Sequence, residues 1–294
     1  MIYVLTVHWE NDNWVEIQLK YLNKFIKESH KKFSFLNIPT RKHDKDFDYV
    51  SHENIKRHAS KLNILADLAC FDSEDGDDIL IFLDGDAFPV ANIMPMIREK
   101  LSSVPLVAVQ RKENLGDKQP HPCFCVTTVK FWTEIKGDWN PGGCHWEDNN
   151  GKSVTDLGGK ILKVLHDRSI PWEPMLRTNK RNPHPLHYGI YGDLVYHHGA
   201  GFRNPATRTD LNIANRKMVR TYLYKILAKV LPHQINKKYF RPMNEVVEKN
   251  KKMSLVIYQY LLEDPQFYNY FLEKDKDCQI SLAKSMIDKL KIIL

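Results

Sequence analysis

No stretch of the sequence approaches the ~20 consecutive apolar residues that a membrane-spanning helix needs. The first residues carry no basic n-region and no small-residue cleavage site, so a secretory leader is not expected. Cysteine is scarce: five residues, an odd number at irregular spacing, which fits reduced thiols and a cytosolic setting better than a disulfide framework. His121, Cys123, Cys125, Cys144 and His145 match no common zinc module and read as buried thiols and ordinary histidines. Internal repeats, low-complexity tracts and nucleic-acid motifs are also missing. Nucleic acid is therefore not an expected partner, although the net charge is +7 and the pI near 9.0. That excess suits an anionic ligand or an anionic membrane surface.

What is present is an ordinary globular composition, 43% hydrophobic over 294 residues, enough for one large domain or one and a half. The chain opens with a β-rich run at residues 2–7. A helical pattern follows at 14–26, with Trp14, Ile17, Leu19, Leu22, Phe25 and Ile26 facing inward, and a second strand at 33–38. Residues 41–48 read as a polar loop. Residues 51–69 read as a helix capped by Ser51, with Ile55, Leu62, Leu65, Ala66 and Leu68 as its inward stripe. Beyond residue 90 the pattern alternates: helix 93–101, strand 104–110, a mobile polar loop at 111–122, strand 123–129, helix 129–135, a helix opened by residues 155–159 and running to about 166, and strands at 170–177 and 194–196.

The most informative stretch is Asp77 to Val90. Five apolar residues from Ile79 to Leu83 read as a strand buried on both faces, and it ends in Asp84-Gly85-Asp86. Pro89 is expected to stop it from continuing as a central strand. Two adjacent carboxylates at a strand end repel unless a cation sits between them, and a hard divalent ion suits their oxygens. Further on, Leu194 to Tyr196 lead into His197-His198-Gly199-Ala200-Gly201.

An apolar strand ending in Leu83-Asp84-Gly85-Asp86 resembles the DxD motif of GT-A-fold, nucleotide-sugar-dependent glycosyltransferases. The resemblance covers roughly residues 1 to 205. It implies an α/β architecture: a GT-A-like (Rossmann-like) mixed sheet flanked by helices over residues 1–205, with a helical C-terminal extension at 206–294. It further implies transfer of a sugar from a UDP- or GDP-sugar to a hydroxyl of a glycan or glycolipid acceptor, with Mn²⁺ or Mg²⁺ as cofactor. The metal ligands would be Asp84, Asp86 and His198, with His197 as the alternate. The donor would lie against Thr6, His8 and Trp9 after the first strand, His58 and Lys61 on the helix before the DxD strand, Asp84 and Gly85, and Arg203. Asp156 would serve the acceptor, in competition with Glu147 and Asp148.

Two other readings stay open. A haloacid-dehalogenase-type phosphatase also places Asp-x-Asp after an apolar strand, but that motif wants Thr or Val where this chain has Phe88, and usually sits on the first strand. A non-catalytic carbohydrate-binding protein would keep the aromatic residues and have no use for a metal triad. From residue 207 onward Arg216, Lys217, Arg220, Lys225 and Lys229 interleave with Val219, Tyr222, Leu223, Ile226 and Leu227. That is a basic amphipathic pattern suited either to packing on the core or to peripheral contact with an anionic membrane. If lipid contact is its role, co-sedimentation with vesicles containing phosphatidylserine falls as salt rises toward 0.5 M, because screening shortens the reach of the lysines. Absence of vesicle binding even at low salt would leave it a packing element.

Overall fold

The computed structural model describes residues 1–179 apart from 11, 115, 149 and 150, then 189–199, then 252, 255, 257–259, 261 and 262. The chain divides into two compact units: Met1–Asn179 with Ile190–His197, and Lys180–Gly189 with His198–Leu294. The basic amphipathic stretch expected from residue 207, from Arg216 to Lys229, and Arg203 lie outside the described residues. The described positions between 252 and 262 are helical. No helix among the described residues is long and apolar enough to cross a membrane.

The first unit begins with β1 (Ile2–Trp9), α1 (Asn13–Phe25), β2 (His30–Asn37), β3 (Tyr49–Ser51), α2 (His58–Asp72) and β4 (Ile79–Asp84). There follow β5 (Ala87–Pro89), α3 (Met94–Leu101), β6 (Leu106–Val109), β7 (His121–Thr128), α4 (Val129–Glu134), β8 (Trp146–Glu147), β9 (Ser153–Val154), α5 (Gly159–Asp167) and β10 (Glu173–Met175). The last strands are β11 (Gly189–Tyr191) and β12 (Val195–His197). The main sheet has the order β10-β6-β7-β4-β1-β2-β3. Within it only β7 runs antiparallel to its neighbours. The expected mixed α/β sheet flanked by helices is therefore the architecture observed.

Period-two alternation sorts the strand side chains onto two cores. Tyr3, Leu5, Leu80 and Phe82 pack with Leu62, Leu65 and Ala66 of α2 and with Trp132. Ile2, Val4, Ile81 and Leu83 pack with Leu22 of α1 and with Ile93, Met94 and Ile97 around α3. Phe82 is seated between Trp132 and Trp139, with ring centroids 4.7 and 5.0 Å away.

The expected helix at 51–69 starts late, at His58, and the residues before it supply the short strand β3 instead. Asn37 explains the delay: its Nδ2 donates to the carbonyls of His52 and Glu53, and the His52 ring bonds the Leu36 carbonyl. Those contacts hold residues 52–53 against β2. Ser51 Oγ accepts from the Glu53 amide within a local turn rather than capping α2. Pro89 does not end pairing after β4. It sits in β5 at the edge of the small sheet β11-β12-β5, where a missing N–H is tolerated.

The chain proceeds from β1 outward to β2 and β3, then returns to β4 on the other side of β1. That reversal makes the crevice at the carboxyl ends of β1 and β4 a topological switch point, the place where open α/β sheets bind ligands. One side chain fixes its geometry. Gln18, fully buried on α1, donates through Nε2 to the carbonyls of Asp84 (2.9 Å) and Ala87 (2.7 Å), and accepts at Oε1 from Thr6 Oγ1 and His8 Nε2, each at 3.0 Å. Since the amide nitrogen faces two carbonyls, the oxygen must face His8, which sets the proton on His8 Nε2. Gly85 follows from the same closeness: a Cβ there would stand 2.5 Å from the Val7 carbonyl oxygen and 2.8 Å from His8 Nδ1.

Gln18→Leu leaves two carbonyls, a hydroxyl and an imidazole N–H unpaired in the interior. At ~1–3 kcal/mol per orphaned group, it should destabilise the fold by at least about 3 kcal/mol in urea unfolding. A loss under 1 kcal/mol would show that the clamp is dispensable. Burial pushes His8 down to about 4, so its share of stability is complete above the unfolded value of ~6.5 and shrinks as acid protonates only the unfolded chain. Between pH 7 and pH 5 the wild type should lose about 2 kcal/mol more than His8→Gln, which keeps a donor toward Gln18.

Candidate metal centre

Asp84 ends β4 and Asp86 follows one residue later, so the turn held by Gln18 presents both carboxylates at the switch point. The histidine that joins them is His197, one position before the expected His198. Its Nε2 lies 3.5 Å from Asp84 Oδ2 and 3.4 Å from Asp86 Oδ1. Pairing sets the choice: β12 is antiparallel to β5 with His197 opposite Ala87, beside Asp86, and alternation sends the next residue the other way. Phe88, stacked on Tyr196 at 5.0 Å and touching Tyr21 at 4.5 Å, pins the two strands in that register. His198 is not part of the group, which comprises Asp84, Asp86 and His197 with ligand atoms all within 4.8 Å of one another.

The surrounding groups are arranged around this negative charge. His58, first residue of α2, places Nε2 2.9 Å from Asp84 Oδ1. Burial by itself would raise the Asp84 carboxyl, yet the His58 hydrogen bond and the nearby His58, His121 and His197 rings hold it well below the usual carboxylate range. Burial works against a charged His197, but the Asp86 carboxylate 3.4 Å from its Nε2 favours the charge, and this imidazole is raised above its ordinary value. His121, whose ring centroid is 6.2 Å from that of His197, moves the opposite way, because burial and Arg111 both disfavour its charge. Cys123 is buried beside His197, and its thiol is raised chiefly by burial. The four described cysteines, Cys70, Cys123, Cys125 and Cys144, are free thiols.

The remaining expected residues divide by position. Thr6 and His8 are buried and committed to Gln18, so their side chains support the turn from behind. Trp9 is 41% exposed at the end of β1, and Lys61 Nζ lies 3.8 Å over its ring. Lys61 is one turn beyond His58 on α2 and buried, and burial pushes its ammonium down to about 8. Asp156 precedes α5. Its Oδ2 accepts from Arg111 at 3.0 Å and its Oδ1 from the Leu157 amide at 2.8 Å. Glu147 and Asp148 sit on the β8–β9 hairpin, where Glu147 is exposed and Asp148 Oδ1 accepts from the Lys152 amide.

Three contributors were missed from the sequence: Gln18, His197 as the preferred ligand, and Arg111. Gln18 had a readable signal, since it lies between Trp14 and Tyr21 on the inward stripe of α1, a polar residue at an apolar position. In the segment expected to be a mobile loop at 111–122, Arg111 bonds Asp117 at 3.0 Å, Asn114 bonds the same carboxylate at 3.0 Å, and Glu113 accepts from Tyr191 of β11 at 2.7 Å. Nothing in residue spacing reports those partners.

No family model and no curated protein matches the chain. Among solved structures it is similar to the catalytic domain of Drosophila beta1,4galactosyltransferase 7 in complex with xylobiose, with 11% identity, a TM-score of 0.39, and coverage of 74% of this chain and 80% of that one. It is also similar to residues 1–349 of S. aureus TarS, with 8% identity, a TM-score of 0.40, and coverage of 99% and 89%. A third likeness is to the galactosyltransferase LgtC in complex with donor and acceptor sugar analogues, with 11% identity, a TM-score of 0.32, and coverage of 56% and 70%.

Proposed function

We propose that this chain is a metal-dependent glycosyltransferase that moves a sugar from a nucleoside-diphosphate sugar, UDP- or GDP-linked, to a hydroxyl of a glycan or glycolipid acceptor. The observation that carries the reading is the Asp84–Asp86–His197 group at the switch point of a mixed α/β sheet. Two carboxylates and an imidazole converging within 4.8 Å fit a divalent ion of the Mn²⁺ or Mg²⁺ kind, and the imidazole favours Mn²⁺. The ion, when bound, supplies charge neutralisation to the departing diphosphate.

The chain's own groups do the rest. His58 holds the Asp84 carboxylate in one orientation, as supporting partners of ligands do. Lys61 brings a buried ammonium with no carboxylate bonded to it among the described residues, which suits a phosphate oxygen at the same crevice. The exposed ring of Trp9 offers a face to the nucleoside, and Arg203 is assigned to the phosphates. Asp156, fixed by Arg111, orients or deprotonates the acceptor hydroxyl. In the transfer the acceptor oxygen bonds to the anomeric carbon as the bond from that carbon to the phosphate oxygen breaks. The electron pair leaves on the diphosphate and the acceptor proton passes to a carboxylate. The basic C-terminal segment at 206–294 is assigned to holding the enzyme at an anionic membrane where a glycolipid acceptor would lie.

The phosphatase alternative loses ground on position. Its motif belongs on a first strand, whereas Asp84 ends the fourth, and the position where it wants Thr or Val holds Phe88, a core ring packed on Tyr21 and Tyr196. Isothermal titration with UDP and GDP should give binding only with Mn²⁺ present, and Asp86→Ala should weaken it at least tenfold while the urea midpoint stays within experimental scatter. Full transfer activity in EDTA, or in Asp86→Ala, would overturn the metal-dependent mechanism.

A further inference from the structure

Gln119 is fully buried, and neither its Nε2 nor its Oε1 has a hydrogen-bond partner among the described residues. Arg111 Nε is in the same condition. Buried amides are seldom left this way, so two such groups on one connection, residues 110–120, call for an occupant. Both side chains lie beside the residues that lead into α5. Arg111 reaches Asp156 at 3.0 Å, and Gln119 Cγ lies 3.5 Å from where a Cβ on Gly158 would stand. Asp156 and Gly158 are two residues apart, at most ~7 Å between Cα atoms. The approach depends on glycine: Gly158 has φ +86, and a Cβ there would come within 2.0 Å of the Pro120 carbonyl oxygen.

The chemistry of this corner is mixed. Gln119 offers two donors and an acceptor, Arg111 Nε one donor, and the half-exposed Asp156 carboxylate further acceptor sites. Asp117 and Glu113 nearby count against an anion. An apolar ligand would leave the polar groups unmatched. Adjacent hydroxyls, each both donor and acceptor, match the pattern, and they are what a sugar ring presents. His121, two residues beyond Gln119, faces Asp84 and His197, so the corner borders the metal centre.

We propose that Gln119, with Arg111 Nε and Asp156, forms a subsite that reads sugar hydroxyls beside the metal centre. It rests on the glycosyltransferase reading for its role, while its chemistry stands on these three residues. The hydroxyls belong either to the donor's sugar or to the acceptor.

The test uses the full chain, with Gln119→Leu and, as a second variant whose side chain is unbranched like glutamine's stem, Gln119→Met. The donor arm titrates UDP-glucose, UDP-galactose and GDP-mannose with Mn²⁺, each against its own diphosphate. The acceptor arm follows methyl glucoside, methyl galactoside and lactose by saturation-transfer NMR, with Mn²⁺ and UDP present and again with neither. The subsite predicts an unchanged or higher melting temperature, because an unpaired buried amide is removed. Diphosphate affinity stays constant, and sugar binding falls about tenfold or more in one arm, which identifies the source. A lower melting temperature in both variants makes Gln119 a structural residue and overturns the inference. So does sugar binding that is absent in the wild type or untouched in the variants. If the wild type binds no diphosphate with Mn²⁺, the proposed function fails by itself, and the sugar-only measurement still decides the subsite.

Discussion

The site depends on one buried carboxamide. Gln18 uses all of its hydrogen-bonding capacity inside the fold, tying α1 to the end of β1 through Thr6 and His8 and to the turn after β4 through the Asp84 and Ala87 carbonyls. A turn carrying two carboxylates would otherwise be free to splay them apart and lower their repulsion. Bonding its backbone from behind removes that freedom and leaves the side chains facing the crevice. Gly85 and the neutral His8 ring are consequences of the same closeness, since neither a Cβ nor a charged imidazole fits between the Val7 carbonyl and the turn.

The second constraint is charge. Asp84 and Asp86 are partly buried, and burial alone penalises ionised carboxylates. The fold answers with imidazoles from three elements: His58 from α2, His197 from β12 and, at longer range, His121 from β7. A raised His197 and a depressed Asp84 are two views of one requirement, that positive charge stand between these carboxylates. Ligation would replace the imidazole proton with a cation, so metal uptake and proton release belong together. Lys61 adds a further buried cation on α2, one turn beyond His58, with its Nζ 3.8 Å over the Trp9 ring.

Much of this was readable in residue order. The apolar run from Ile79 to Leu83 ending in Asp84-Gly85-Asp86, the alternation of strands and helices, and the helical pattern of α1 each follow from local periodicity, and the sheet bears them out. The histidine register was not readable. β12 is three residues long, and alternation says only that His197 and His198 face opposite ways. Its pairing with β5 decides which, and Pro89 had marked that stretch as a strand stop rather than a sheet edge. The start of α2 was hidden for a similar reason, because Asn37, far away in sequence, takes the carbonyls of residues 52 and 53. Arg111 lay in a segment whose polarity suggested a mobile loop, and nothing in its spacing reports the bonds it makes to Asp117 and Asp156.

The central claim is that Asp84, Asp86 and His197 together bind one divalent cation. Anomalous diffraction from crystals equilibrated with Mn²⁺ at neutral pH tests it most directly. The account predicts one strong anomalous peak within ligand distance, ~2.0–2.3 Å, of an oxygen of each aspartate and of His197 Nε2. A peak on His198 with none on His197, or no peak at this turn while Mn²⁺ occupies other sites, would contradict it.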